Sequence, residues 1–112
     1  MILHALHSVD FDHLKAVKQQ MVEFGQPTIR VVNCGDYYKA IEGTHRLQAA
    51  AELGIAINFV VLEQDDEISS SSLDWQDLDA DTMYSAGELA AQGFCHNANL
   101  YKIDENNCIV EI

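Results

Sequence analysis

The run Glu42-Gly43-Thr44-His45-Arg46-Leu47-Gln48-Ala49-Ala50-Ala51-Glu52-Leu53-Gly54 limits what this chain can fold into more than any other stretch. It sets a glycine turn directly ahead of a helix. Before it, Tyr37-Tyr38-Lys39-Ala40-Ile41 reads as a strand, because aromatic and β-branched residues suit a half-buried pleated surface. After the turn, Leu47, Ala50, Ala51 and Leu53 supply an apolar helical stripe, and Gly54 stands where a helix ends. The unpaired N–H groups at such a helix start, with the positive end of its dipole, suit an anion such as phosphate. Thr44, His45 and Arg46 stand there with a hydroxyl, an imidazole and a guanidinium, all able to donate to phosphate oxygens. The plain alternative is a simple turn followed by a solvated arginine.

The same residues carry a resemblance. Ala40 to Gly54 resembles the signature of the ParB N-terminal and sulfiredoxin-like superfamily, in which a strand leads to Gly-x-[His/Arg]-Arg, an alanine-rich helix and Leu-Gly. Upstream, Phe24-Gly25-Gln26-Pro27-Thr28-Ile29-Arg30-Val31 is similar to the family's preceding segment, and Ile57 to Leu62 falls where its next strand lies. The resemblance covers residues 1–63 and implies nucleotide chemistry, phosphoryl transfer or slow nucleotide hydrolysis, or at least nucleotide binding, with Gly43, His45 and Arg46 on phosphate, Thr44 at the variable position between them, and ATP or CTP with Mg²⁺ as candidate ligands. Sulfiredoxins carry a reactive cysteine where this chain has Thr44, a far poorer nucleophile at neutral pH, which argues against sulfinic acid reduction. CTP-binding ParB proteins usually have Gly-Glu-Arg-Arg there, so Thr44-His45 departs from that pattern as well.

With 112 residues and 48% hydrophobic content the chain is long enough for one core, so a single domain is expected. The expected fold is α/β (α+β): a small mixed sheet flanked by helices over 12–24 and 45–53, with the Gly43 turn at the sheet's mouth. A helix from Asp10 or Asp12 follows from Leu14, Val17, Met21 and Phe24 at helical spacing, stopped by Gly25 before Pro27. Ile2 to Leu6 reads as a strand, and Thr28–Asn33 as another, turning through Asn33-Cys34-Gly35-Asp36 into the Tyr37 strand. In Thr28–Asn33, Ile29 and Val31 point to one face, Arg30 and Val32 to the other. Arg30 is either a second phosphate contact or a solvated charge. Glu42 is a candidate general base or Mg²⁺ ligand, or else turn surface.

The acidic, serine-rich run 63–72 reads as a flexible linker. Beyond it, Leu73, Trp75 and Leu78 are expected to pack back on the first half, with a short helix over Thr82–Gln92 capped by Gly93. Leu100–Ile103 and Cys108–Ile112 read as a closing hairpin around Asp104-Glu105-Asn106-Asn107. Residues 64–112 thus form an acidic extension packing on the 1–63 core, adding strands or a lid.

Net charge is −12, of which residues 63–112, with one Lys and twelve Asp/Glu, hold −11. Such a surface repels nucleic acid phosphates, so autonomous DNA binding is not expected. Lys15, Lys18, Arg30, Lys39 and Arg46 all lie in the half with the proposed anion site, and the acidic half suits a basic protein partner or a nucleic-acid-binding surface for which it competes with DNA. No stretch approaches the roughly 20 apolar residues of a membrane span, and the first residues lack a signal-peptide pattern, so a cytoplasmic setting is expected. Cys34, Cys95 and Cys108 are an odd number at unrelated spacings, against a disulfide framework. His4 and His7 lack metal-ligand spacing, and Cys95-His96 are sequence neighbours, which usually point apart.

Overall fold

Alternating faces and two glycine-stopped helices build a curled mixed sheet, with those two helices on one side and a short third one against the other. The computed structural model describes residues 2–73, 78–92 and 98–112. Its elements run β1 (Ile2–His4), α1 (Phe11–Phe24), β2 (Thr28–Asn33), β3 (Tyr37–Ala40), α2 (Thr44–Leu53) and β4 (Asn58–Leu62). They continue with β5 (Glu67–Ser69), a 3₁₀ turn (Ser70–Ser72), β6 (Met83–Ser85), α3 (Ala86–Gln92), β7 (Leu100–Ile103) and β8 (Ile109–Glu111). Six strands form one sheet in the order β4-β2-β3-β1-β7-β8, and β5 and β6 form a second, two-stranded one. β2 pairs antiparallel with β3 and parallel with β4, while β1 lies parallel to β3 and antiparallel to β7. The acidic extension therefore supplies strands to the main sheet, as expected.

α1 starts where Asp10 caps it, its Oδ1 accepting the Asp12 and His13 N–H groups at 3.0 and 3.3 Å. It stops at Gly25, φ 84°, whose N–H returns to the Met21 carbonyl. Leu14, Val17 and Met21 are buried, but Phe24, expected on the same stripe, is 79% exposed. The main core joins Leu14, Val17 and Met21 of α1 and Leu47, Ala49 and Ala50 of α2 to Leu3, Ile29, Val31, Ala40, Tyr101 and Ile109 of the sheet.

The opposite face of β2 has its own partners. Val32 and Ile41 pack with Ile68, Ala86 and Leu89, with Leu62, Leu73 and Leu78 at the edge of this second cluster. Strand alternation thus splits β2 between two cores, Ile29 and Val31 into one and Val32 into the other.

Two expectations need correction. The run 63–72 is not a linker: Ile68 is buried, β5 pairs with β6, and Ser69 caps the 3₁₀ turn, its Oγ accepting the Ser71 N–H. One buried isoleucine among polar neighbours is a period-two strand pattern that the acidic composition masked. The helix expected over Thr82–Gln92 begins only at Ala86, because Met83–Ser85 is taken by that pairing. Trp75, Gly93, Cys95 and His96 lie outside the described residues. Every described carboxylate from Glu63 onward is exposed, and no described helix is long and apolar enough to cross a membrane.

Candidate functional site around the Gly43 turn

The chain leaves β3 through buried Ile41 and reverses at Gly43, which adopts φ 73°, ψ 30° and serves as the N-cap of α2. This left-handed conformation strains any residue bearing a Cβ. Space is short as well: a Cβ there would lie 3.1 Å from Arg46 Nη2 and 3.3 Å from Ile29 Cδ1. Among the described residues no side chain caps the helix, so its first-turn N–H donors lack the usual side-chain acceptor there.

The three residues that follow go separate ways. Thr44 is 2% exposed, and its Oγ1 accepts the His7 N–H at 3.3 Å, so the hydroxyl faces the loop after β1 rather than solvent. His45 turns to the start of α1, where its Nε2 accepts the Asp10 N–H at 3.0 Å. That bond requires an unprotonated Nε2, which places the ring proton of the neutral form on Nδ1. The His45 ring lies 4.1 Å from that of His13 and 5.6 Å from that of His7. Burial, then the charges of His13 and His7, lower its pKa against the opposing pull of Asp10. His7 Nδ1–H donates to the Ser8 carbonyl at 2.8 Å. Among the described residues, no group of three or more His, Cys, Asp or Glu side chains is placed to hold a metal ion.

Arg46 folds back over the turn, Nη1 donating to the Thr28 carbonyl at 3.0 Å and Nη2 lying 3.9 Å from Glu42 Oε1. Arg30 is held far more closely. Its Nε and backbone N–H donate to Glu42 Oε2 at 2.9 and 3.0 Å, and its Nη2 donates to Oε1 at 2.8 Å. Ser72 completes its shell, with Oγ accepting from Nη1 at 3.1 Å and the carbonyl from Nη2 at 3.0 Å. Arg30 is therefore neither a solvated charge nor a free anion ligand.

Burial alone would raise the Glu42 pKa, but the side-chain and backbone hydrogen bonds from Arg30, with the charges of Arg30 and Arg46, hold it below the ordinary carboxylate value. The bond to Glu42 in turn raises Arg30. With both oxygens accepting from Arg30, Glu42 has its best lone pairs engaged, a poor state for a general base or a Mg²⁺ ligand.

Beside Arg46 lies a groove of about 190 Å³ lined by Val17, Gln20, Met21, Phe24, Gly25, Gln26 and Pro27. It explains the exposed Phe24, which forms one wall. The sequence singles out Gly43, Thr44, His45, Arg46 and Arg30 and carries no sign of the groove, of His13 beside His45 or of the grip of Arg30 on Glu42. The hairpin register pairs Val31 with Ala40 and sets Arg30 opposite Ile41, one residue short of Glu42, so the ion pair does not follow from strand pairing alone. The chain matches no protein-family model, no curated protein and no solved structure.

Proposed function

We propose that this chain is a small nucleotide-binding domain of the ParB N-terminal and sulfiredoxin-like kind, taking the phosphates of ATP or CTP at the start of α2. The observation that carries the reading is a left-handed glycine opening an uncapped helix, with a half-exposed arginine folded over it at the rim of an apolar groove. In this reading the first-turn N–H groups of Thr44, His45 and Arg46 meet phosphate oxygens, and the helix dipole favours the charge. Arg46 swings from its loose 3.9 Å approach to Glu42 onto the phosphate, while Arg30 stays with Glu42 and keeps that carboxylate from the anion. The sugar and base lie along Met21, Phe24 and Pro27, and Mg²⁺ travels on the phosphates. The likeness of Ala40–Gly54 to the family's turn supports the same assignment.

The reading is of binding rather than turnover, since Glu42, the carboxylate at the turn, is engaged by Arg30. A reducing, cytoplasmic setting belongs with it, supported by free thiols at Cys34 and Cys108.

Thermal unfolding with ATP, CTP, GTP and inorganic phosphate, each with and without Mg²⁺, tests it. A ligand at about 100 times its dissociation constant stabilises the folded state by roughly 2.7 kcal/mol. One nucleotide should raise the melting temperature of the wild type and not of Arg46→Ala. No rise with any nucleotide at millimolar concentration sinks the proposal.

A second reading is a non-enzymatic interaction module for a basic partner protein. The exposure of every described carboxylate from Glu63 onward favours it. Partner capture that weakens steeply with salt, ignores nucleotide and survives Arg46→Ala would select this reading.

A further inference from the structure

The concave face of the main sheet carries a second concavity whose lining shares no residue with the Gly43 turn or its groove. The sheet curls until its two ends meet, where the Ile57 N–H donates to the Asn107 carbonyl at 2.9 Å. α1 and α2 fill the curled face around Leu3, Ile29, Val31 and Tyr101 and leave part of it open. There a cavity of about 480 Å³ is lined by Tyr38, Phe59, Val61 and Ile103, with Asp104, Glu105 and Asn107 on its rim.

The floor is apolar on strand register alone. Leu3 faces Tyr38 and Tyr101, Ile29 faces Phe59, Val31 faces Val61, and Ile103 faces Ile109, so these side chains share the concave face. Tyr38, Phe59 and Ile103 touch the main core on one side and the cavity on the other. Val61 remains 41% exposed.

The rim has one sign of charge. Asp104 also pins the β7–β8 turn, its Oδ1 accepting the Asn106 and Cys108 N–H groups at 2.8 and 2.9 Å. Glu105 is exposed and makes no hydrogen bond or ion pair among the described residues. Among the described residues no Lys or Arg lines the cavity. Two aromatic rings beneath carboxylates that no cation neutralises complement a positive charge on an apolar body, since ring faces attract cations and the rim attracts them at longer range.

We propose that this bowl is a binding site for a small organic amine, with its apolar body on Tyr38, Phe59 and Ile103 and its ammonium at Glu105 and Asp104. An anionic nucleotide is repelled from it, so the site is independent of the Gly43 turn.

The test is a titration of the ¹⁵N-labelled chain, followed by amide NMR, with tyramine and with tyrosol, which replaces the ammonium by a neutral hydroxyl. Tyramine shifts the amides of Tyr38, Phe59, Ile103 and Glu105, tyrosol binds several-fold more weakly, and Glu105→Gln weakens tyramine by about threefold, the scale of one exposed charge contact. Arg46→Ala leaves tyramine binding unchanged, which separates this site from the nucleotide one. The proposal is overturned if tyramine at about 10 mM leaves those amides unmoved, if tyrosol binds as well as tyramine, or if a lysine-rich peptide shifts them and tyramine does not.

Discussion

Arg30 and Glu42 form a bidentate pair, Nε to Oε2 at 2.9 Å and Nη2 to Oε1 at 2.8 Å, with the Arg30 backbone N–H on the same carboxylate. The pair ties the edge of β2 to the residue before the Gly43 turn and holds Ser72 of the acidic extension. It joins three segments distant in sequence.

Removing one partner should therefore cost more than removing both. Glu42→Ala strands a half-buried guanidinium and is expected to lower stability by about 2 kcal/mol, on the scale of hydrogen bonds to charged groups. Adding Arg30→Met to it should restore part of the loss. Urea unfolding of the two single variants and the double variant measures the coupling; strictly additive effects would contradict it.

The lowered pKa of Glu42 has a direction in pH. Above the ordinary carboxylate value the group is ionised in both states, and its contribution to stability is fully present. As pH falls below that value the unfolded chain takes up a proton that the folded chain refuses, so stability drops until the folded pKa is passed. Acid unfolding of Glu42→Gln should show a shallower loss over this range than the wild type.

His45 acts in the same sense nearer neutrality. Its folded pKa is lowered by burial and by His13 and His7, so the neutral ring with Nε2 accepting from Asp10 is the favoured form. Its stabilisation is present above the ordinary imidazole pKa of about 6.5 and is lost as pH falls through the folded value. Denaturation midpoints taken at intervals from neutral to mildly acidic pH should decline, and the decline should flatten in His45→Gln. An NMR titration placing the His45 pKa above 6.5 would refute the assignment.

Gly43→Ala and Gly54→Ala separate backbone strain from crowding. Both glycines are left-handed, φ 73° and 68°, and each substitution carries a conformational cost of about 1–2 kcal/mol. At Gly54 a Cβ meets nothing within 4 Å, whereas at Gly43 it meets Arg46 and the buried Ile29 at 3.1 and 3.3 Å. Gly43→Ala should be the more destabilising of the two in thermal melts, and equal losses would mean that the crowding relaxes freely.

Tyr101 tests the join between the halves of the chain. Its hydroxyl donates to Gln48 Oε1 of α2, and Asn99 donates to both groups. Tyr101→Phe should cost about 1–2 kcal/mol by stripping a buried carbonyl of a partner. Burial, with smaller contributions from Glu111 and Glu52 and against the Asn99 hydrogen bond, pushes the phenol up to about 12. Its contribution persists below the ordinary tyrosine value near 10 and is lost as pH rises towards 12. Alkaline unfolding should come later in the phenylalanine variant, relative to its own neutral stability.

What was legible in the chain was local. Asp10, Gly25, Gly43 and Gly54 bound their helices through backbone chemistry within one turn, and Thr28–Asn33 alternated as its residues required. The turn residues expected at 33–36 and 104–107 do lie between paired strands, with Asn33 itself the last residue of β2 and Cys108 added to the second connection. The buried Ile68 was missed because a three-residue strand shows barely one period and its neighbours are polar.

By itself, then, the sequence determined the kinds of element, most of their limits, the mixed α/β character and the left-handed turn at Gly43, all of which depend on residues within a few positions of one another. Only the tertiary structure decided that Arg30 takes Glu42 while Arg46 reaches the Thr28 carbonyl, that Thr44 is buried against His7, and that His45 joins His7 and His13 where two helices begin. It also decided that part of the curled face stays open as an acidic-rimmed bowl. The physical reason is that such contacts join segments ten to seventy residues apart in the chain, whose meeting depends on strand order, register and curl, and no local pattern of polarity encodes these.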